Sequence, residues 1–473
     1  MTTTTVSIGS NQSIATVTPS SCSGSGPWTV SFTSTPSSNV AIGDIQVYAD
    51  ASSGGNYYFL LTGISGSNYT LKYLTDDSSM GSASPCEMYN DFFGQQEGVF
   101  KRAFSEITYF EEMVDDSSPA YWGTTDDVVG ECHGDSDFTD TRVYFNDKQS
   151  LASVKLTANS ADRHTGIASG TGGGKVLIRP TSGTTHNNAI IDINIDNFIM
   201  EWIEIDLGAL DSTTTNKAVQ FRGTNDDNII RNNLIHSKGG NPGSNGSFMI
   251  HVVAAGGSSD TISILNNIIY DIVETTDDTS SAININQWAG TVNIYNNTVY
   301  NIDSDNSGST KPATAYRYNG NANQTANVKN NIASKLVADT AAEQRGFWNT
   351  GTGTANESNN LSDDTVTTTA YKAPGSNSLQ DKTAAQIDFL STVSGAVGCL
   401  HLGASSVARE AGVDLGTTLD VNFDIDGVDR DATGVTWDIG ADQASEAAGA
   451  TITGAASLTG SATVSVGGLV EKR

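Results

Sequence analysis

The sequence predicts an all-β chain wound as a right-handed parallel β-helix solenoid. Asparagine pairs recur at Asn232-Asn233, Asn266-Asn267, Asn296-Asn297, Asn330-Asn331 and Asn359-Asn360, with Asp196-Asn197 as an earlier relative. Successive spacings are 36, 34, 30, 34 and 29 residues. The flanks match: "INIDNFI", "NIIRNNLI", "ISILNNII", "VNIYNNTV" and "ANVKNNIA" place apolar residues alternately on both sides of each pair. A second strand-like segment lies in most periods, as in "AVQFRG", "FMIHVV", "AININQ", "AYRYNG" and "RGFWNT". Only 37% of residues are hydrophobic, and Gly, Ser, Thr and Asn dominate, which suits short strands and turns better than helices.

Each period reads as one coil. Alternating strand residues stack inward on the next coil, and a tight bend falls to Asn, which tolerates left-handed backbone angles. One Asn per coil is expected to bond amide to amide along the axis: Asn197, Asn233, Asn267, Asn297, Asn331 and Asn360. The other Asn of each pair is expected to face solvent. Arg231 and Lys329, just before pairs, are expected outside as surface charges.

Residues 1–98 read as a separate all-β module for docking or assembly, with strands in "NVAIGDIQVYAD" and "NYYFLLTGISGSNYTLKYLTDD". Residues 99–127 hold a capping helix and linker, because Phe100, Phe104, Ile107, Phe110 and Val114 fall on one helical face. The solenoid is assigned to 128–443. The tail, 444–473, alternates small Thr, Ser, Ala and Gly without bulk for its own core, and is a candidate for strand exchange with a neighbour.

Net charge is −29, so phosphate neutralisation, and with it nucleic-acid binding, is not expected. No run of about 18 apolar residues exists, so no membrane span is expected. "MTTTTVSIGS" has neither a basic nor an apolar signal region, so no secretory signal is expected. Cys22 and Cys86 share the N-terminal region and are candidates for a bridge, and Cys132 and Cys399 stand apart.

Several stretches resemble a known family. "ECHGDSDFTDTRVYF", "ADRHTG" and "NIDNFIMEWIEID" resemble early coils of right-handed parallel β-helix proteins from phage and environmental bacteria. The ending, with Asp424, Asp426, Gly427 and Arg430 before "DIGADQ", resembles the closing segment of pectate-lyase-like β-helices. The resemblance implies a terminal clamp of Asp424, Asp426, Arg430 and Asp438, held by an Arg–carboxylate fork. It also implies a self-assembling chain, trimeric in tailspike relatives, bound to other virion proteins through its N-terminal module.

No residue is assigned a catalytic role, since the acids along the coils read as a solvated face. His236 and His251 are candidates to meet across one coil, more simply read as buried or stacked histidines. Trp202, Trp288, Tyr316, Tyr318 and Trp348 are candidate glycan contacts, because aromatic faces stack on sugars; they read equally well as core. No cofactor is expected, with calcium the one cation the acids suggest. The function expected is a structural or adhesive virion component, a fibre or tailspike-like appendage on the virion surface that binds polysaccharide. The alternatives are a polysaccharide lyase or glycoside hydrolase, and a bacterial surface or filament-forming protein exported without a signal peptide.

Overall fold

The structure is a computed structural model that describes residues 3–10, 13–17, 19–23, 28–32, 36, 39–49, 56–73, 98–115, 125–140, 142–148, 151–169, 175–180, 189–208, 217–223, 226–237, 247–253, 257–273, 279–304, 311–320, 322–396, 399–432 and 435–444. Three parallel sheets wrap one core, and the chain visits them in rotation. Sheet 1 runs from Thr3–Ile8 and Asp127–Cys132 to Thr354–Ser358. Sheet 2 runs from Leu177–Ile178 to Leu379–Lys382, and sheet 3 from Val143–Phe145 to Gln344–Asn349. Sequence neighbours therefore lie in different sheets, and each strand pairs with the strand one coil away, for example Ile264 with Ile294 and Val328 with Glu357. This is a parallel β-solenoid.

Side chains alternate as strands require. Ile191, Val219, Ile250, Ile283, Tyr316 and Phe347 form one inward column on sheet 3 and belong to one continuous buried cluster. Burying apolar area at roughly 25 cal/mol per Å² makes this stack the main stabiliser of the rod.

The N-terminal region departs from the sequence expectation. Strand Thr3–Ile8 pairs in parallel with Asp127–Cys132 and so belongs to solenoid sheet 1, not to a separate module spanning 1–98. The antiparallel sheet follows it, and takes Gly98–Lys101 as a strand between Ala15–Val17 and Ile45–Ala49. The helix is shorter than the 99–114 periodicity suggests, covering Ile107–Asp115 only. Phe104 sits instead in a β-bridge to Ile8. The helix buries Ile107, Phe110 and Val114, and its Phe110 ring packs edge-on to Phe145 and against Gly130, where a Cβ would stand 2.7 Å from the ring. Buried Arg102 ties the two regions, bonding Asp44 at 3.0 Å and Asp135 at 2.9 Å.

The C-terminal end also differs. Among the described residues no coil follows Leu379–Lys382. The described residues between 383 and 444 return along the outside of sheet 2, and the outward apolar column of that sheet is buried beneath them. Leu234, Ile268 and Tyr270 meet Cys399, Leu400, Ile425 and Ala441, while Ile332 and Leu361 meet Ile387, Leu402, Ala408 and Ile439. We call residues 399–444 the strap. Of the tail, Ala444 is described and 445–473 lie outside the described residues. Cys86 and the Cys22 side chain also lie outside them, while Cys132 and Cys399 are buried free thiols.

Candidate functional site

The corner between sheets 1 and 2 organises the outer surface. Its first residue is left-handed in every coil that carries a pair: Asn232, Asn266, Asn296, Asn330 and Asn359 have φ between 53° and 57°. The second Asn points inward. Asn233 Nδ2 donates to Asn267 Oδ1 at 3.1 Å, Asn267 to Asn297 at 3.0 Å, Asn297 to Asn331 at 3.1 Å and Asn331 to Asn360 at 3.2 Å. Each Oδ1 also accepts the backbone N–H of the preceding Asn, and Ile203 N–H closes the lower end on Asn233 at 3.0 Å.

Asn197 is outside this ladder. Strand register sets it opposite Asp227, at the bend that enters sheet 1, one corner away. The corner of its own coil is Trp202-Ile203, and Trp202 takes the left-handed φ of 61°. The first Asn does not face solvent either. Asn232, Asn266, Asn330 and Asn359 donate to strap carbonyls of Asp424, Phe423, Val413 and Ala411 at 2.5, 2.6, 2.8 and 2.9 Å.

Where the strap crosses the Trp202 corner it leaves a cavity of about 350 Å³ lined by Arg163, Glu201, Trp202, Arg231, Asp420 and Phe423, among others. Glu201 and Arg231 are register partners on sheet 1, one coil apart. Arg231 holds Glu201 at 2.7 Å and strap Asp420 at 2.8 Å, and Lys155 reaches the other oxygen of Glu201. Burial pushes the Glu201 carboxyl up, but Arg231 and Lys155 outweigh it and hold it below the usual range. Arg231 is thus a buried bridge, not the surface charge its place before a pair suggested. The Arg163 guanidinium lies 4.9 Å from the Trp202 ring centre, and its Nε finds no hydrogen-bond partner among the described residues. Phe423 is 42% exposed, so its ring is the open apolar surface here.

The outward column of sheet 3 is a second polar cluster. Asp192, Gln220, His251, Asn284, Arg317 and Trp348 follow in register. Asp192 bridges Arg142 at 2.8 Å and Arg222 at 2.9 Å. Burial lowers the Lys217 ammonium to about 8, with Arg222 adding to the shift, and burial with Lys217, Arg317 and Arg222 lowers the His251 imidazole to about 3. His251 does not meet His236, which lies in sheet 2 and bonds Glu204 at 2.8 Å.

The aromatic candidates separate. Trp288, Tyr316 and Tyr318 are buried inside the coils; Tyr316 stacks on Phe347, and its hydroxyl donates to the Asn297 and Ile332 carbonyls. Inward strand positions close all three to a sugar. Trp348 is half-buried between the Arg317 and Arg345 guanidiniums, 4.6 and 3.8 Å from its ring centre. Trp202 remains, as a wall of the cavity. The sequence reading missed Phe423 and Arg163, since neither lies in a repeated pattern.

The terminal clamp is built differently from the fork expected. Arg430 is fully buried and donates to the carbonyls of Gly440 at 2.8 Å and Asp438 at 3.3 Å and to Gln443 Oε1 at 3.2 Å, with no carboxylate at ion-pair distance among the described residues. The carboxylates serve backbone N–H groups instead. Asp424 accepts from Asp426, Val428 and Gln443, and Asp438 accepts from Glu410 and Ala444.

Compared with protein-family models, curated proteins and solved structures, the chain gives no match. No helix among the described residues is long and apolar enough to cross a membrane.

Proposed function

We propose that the chain is a structural and adhesive solenoid that holds a carboxylate-bearing saccharide in the Trp202–Phe423 cavity. The observation that carries this reading is the pairing of an open aromatic face, Phe423, with the Arg163 guanidinium in one recess. Sugars stack on aromatic faces, and a guanidinium takes a carboxylate as a two-pronged hydrogen-bond partner. Arg231 and Lys155 hold Glu201 towards its ionised form, the opposite of the raised carboxyl that a glycosidase acid uses. A rod whose strands are paired on both sides suits display on a particle surface. The setting we propose, a phage fibre or tailspike-like appendage assembling with its own copies, draws on the resemblance of the closing segment to pectate-lyase-like β-helices.

Titrating the full chain with uronate-containing and neutral oligosaccharides by calorimetry tests it. Arg163→Ala should weaken uronate binding tenfold or more, the equivalent of about 1.4 kcal/mol, and should not change binding of the neutral sugar. Phe423→Ala should weaken both. Release of new reducing ends that depends on Glu201 or Asp420 would replace binding by hydrolysis.

A lyase reading belongs to sheet 3, where Lys217 has an ammonium lowered to about 8, a range suited to a base. Release of unsaturated sugar that Lys217→Ala abolishes would support it.

A further inference from the structure

We propose that His401, Asp426 and Asp442 form a binding site for a transition-type divalent cation such as Zn²⁺ or Mn²⁺, unrelated to the saccharide cavity. The three come from separate parts of the strap, and one ligand atom of each lies within 4.8 Å of the others. The hydrogen bonding sets the chemistry. His401 Nδ1 is 2.9 Å from the Cys399 carbonyl, which can only accept, so Nδ1 carries a proton. In the neutral ring Nε2 is then a lone pair, and it faces Asp426 Oδ1 at 3.1 Å. Two lone pairs at that distance repel unless a positive charge lies between them: a second ring proton or a metal. A ring nitrogen whose partner N–H is fixed on a backbone carbonyl is the usual arrangement of a metal-binding histidine. Imidazole with two carboxylates suits borderline cations better than calcium, which prefers six or more oxygens.

The surroundings hold these donors in place. Asp442 Oδ2 accepts the Leu402 N–H at 2.7 Å, next to His401 in sequence. Asp424 fixes the Asp426 turn through its N–H at 2.9 Å and the Asp442 end through Gln443 N–H at 2.9 Å. The clamp residues legible in the sequence thus frame the site. His401 and Asp442 are buried, whereas the Asp426 side chain is 31% exposed, which leaves a way in. Two ligands each ~2.1 Å from an ion stand at most ~4.2 Å apart, so binding draws the triad together by under about 1 Å. Asp426, next to left-handed Gly427 on an exposed turn, is the arm placed to move.

The test uses the full chain freed of metal by chelator, then titrated separately with ZnCl₂, MnCl₂ and CaCl₂ by calorimetry and thermal unfolding. One equivalent of Zn²⁺ or Mn²⁺ should bind more tightly than Ca²⁺ and raise the melting temperature, reversibly with chelator. Asp426→Asn, on the exposed arm, should fold normally and lose at least tenfold in affinity, and His401→Gln should do the same. The proposal is overturned if no cation gives saturable one-to-one binding, or if both variants bind as the parent does. It is also overturned if histidine NMR shows a doubly protonated His401 that does not respond to Zn²⁺ or Mn²⁺, since the second ring proton then takes the cation's place.

Discussion

The two asparagines of each pair are adjacent in sequence and opposite in physics. The second draws its partners from the coils themselves: from Asn233 to Asn360 each amide bonds the amide of the neighbouring coil, and backbone groups of the coils, such as the Ile203 N–H and the Ile264 and Tyr295 carbonyls, complete the set. The first depends on something outside the coils. Its amide points away from the core, and the strap supplies the carbonyls of Ala411, Val413, Phe423 and Asp424. A repeat can thus encode two devices at one bend, one that stiffens the rod along its axis and one that docks a returning chain. The ladder needs only neighbouring coils, while the outer column needs the strap to lie in one register.

Breaking the inner device should cost most. Asn297 Oδ1 accepts from Asn267 N–H and Nδ2–H, and Asn297 Nδ2 donates to the Ile264 and Tyr295 carbonyls. Asn297→Leu leaves two donors and a carbonyl buried without partners, each costing ~1–3 kcal/mol, so a loss of roughly 3–5 kcal/mol is expected in chemical denaturation. Breaking the outer device should cost less and act elsewhere. Asn266→Gly keeps the left-handed bend and removes only the bonds to Val421 and Phe423, so a loss of about 1–2 kcal/mol is expected. Its signature is faster amide exchange in residues 411–424, with the coils unchanged. If Asn266→Gly destabilises as much as Asn297→Leu, the two columns are not separate devices.

The same contrast explains what the sequence could reveal. Anything that repeats every coil was legible: the paired strands, the left-handed corner and the ladder from Asn233 onward follow from period and alternation. Asn197 misled because its neighbour Asp196 imitates a pair, while the true corner of that coil carries Trp202, which no repeat pattern flags. Trp288, Tyr316 and Tyr318 could not be sorted from open aromatics because strand parity is known only once register is known. The strap was the largest gap. Its residues from 399 to 444 contact coils about 190 positions away and more, as Arg231 does Asp420, and sequence separation of that size leaves no local signal. Hence the cavity, which needs both partners, was visible in Trp202 alone, and the clamp was found in the right residues with the wrong bonds.

The finest discrimination comes from Asn296, where the outer column lacks what its neighbours have. It is fully buried, with φ of 55°, and neither its Oδ1 nor its Nδ2 has a partner among the described residues. The strap carbonyls that serve Asn266 and Asn330 belong to Val421, Phe423 and Val413, and Asn296 falls between them. Asn supplies the left-handed backbone angle there, and its amide is a desolvation cost. Asn296→Gly removes that cost and keeps the bend, at the expense of a freer unfolded chain. These terms oppose, each on the order of 1 kcal/mol, so the variant should lie within about 0.5 kcal/mol of the parent, on either side. Asn296→Ala removes the amide as well but strains the left-handed angle, and should lie ~1 kcal/mol below the glycine variant. A loss above 1.5 kcal/mol for Asn296→Gly would mean that the amide has a partner after all, for instance a buried water, and that the outer column is continuous.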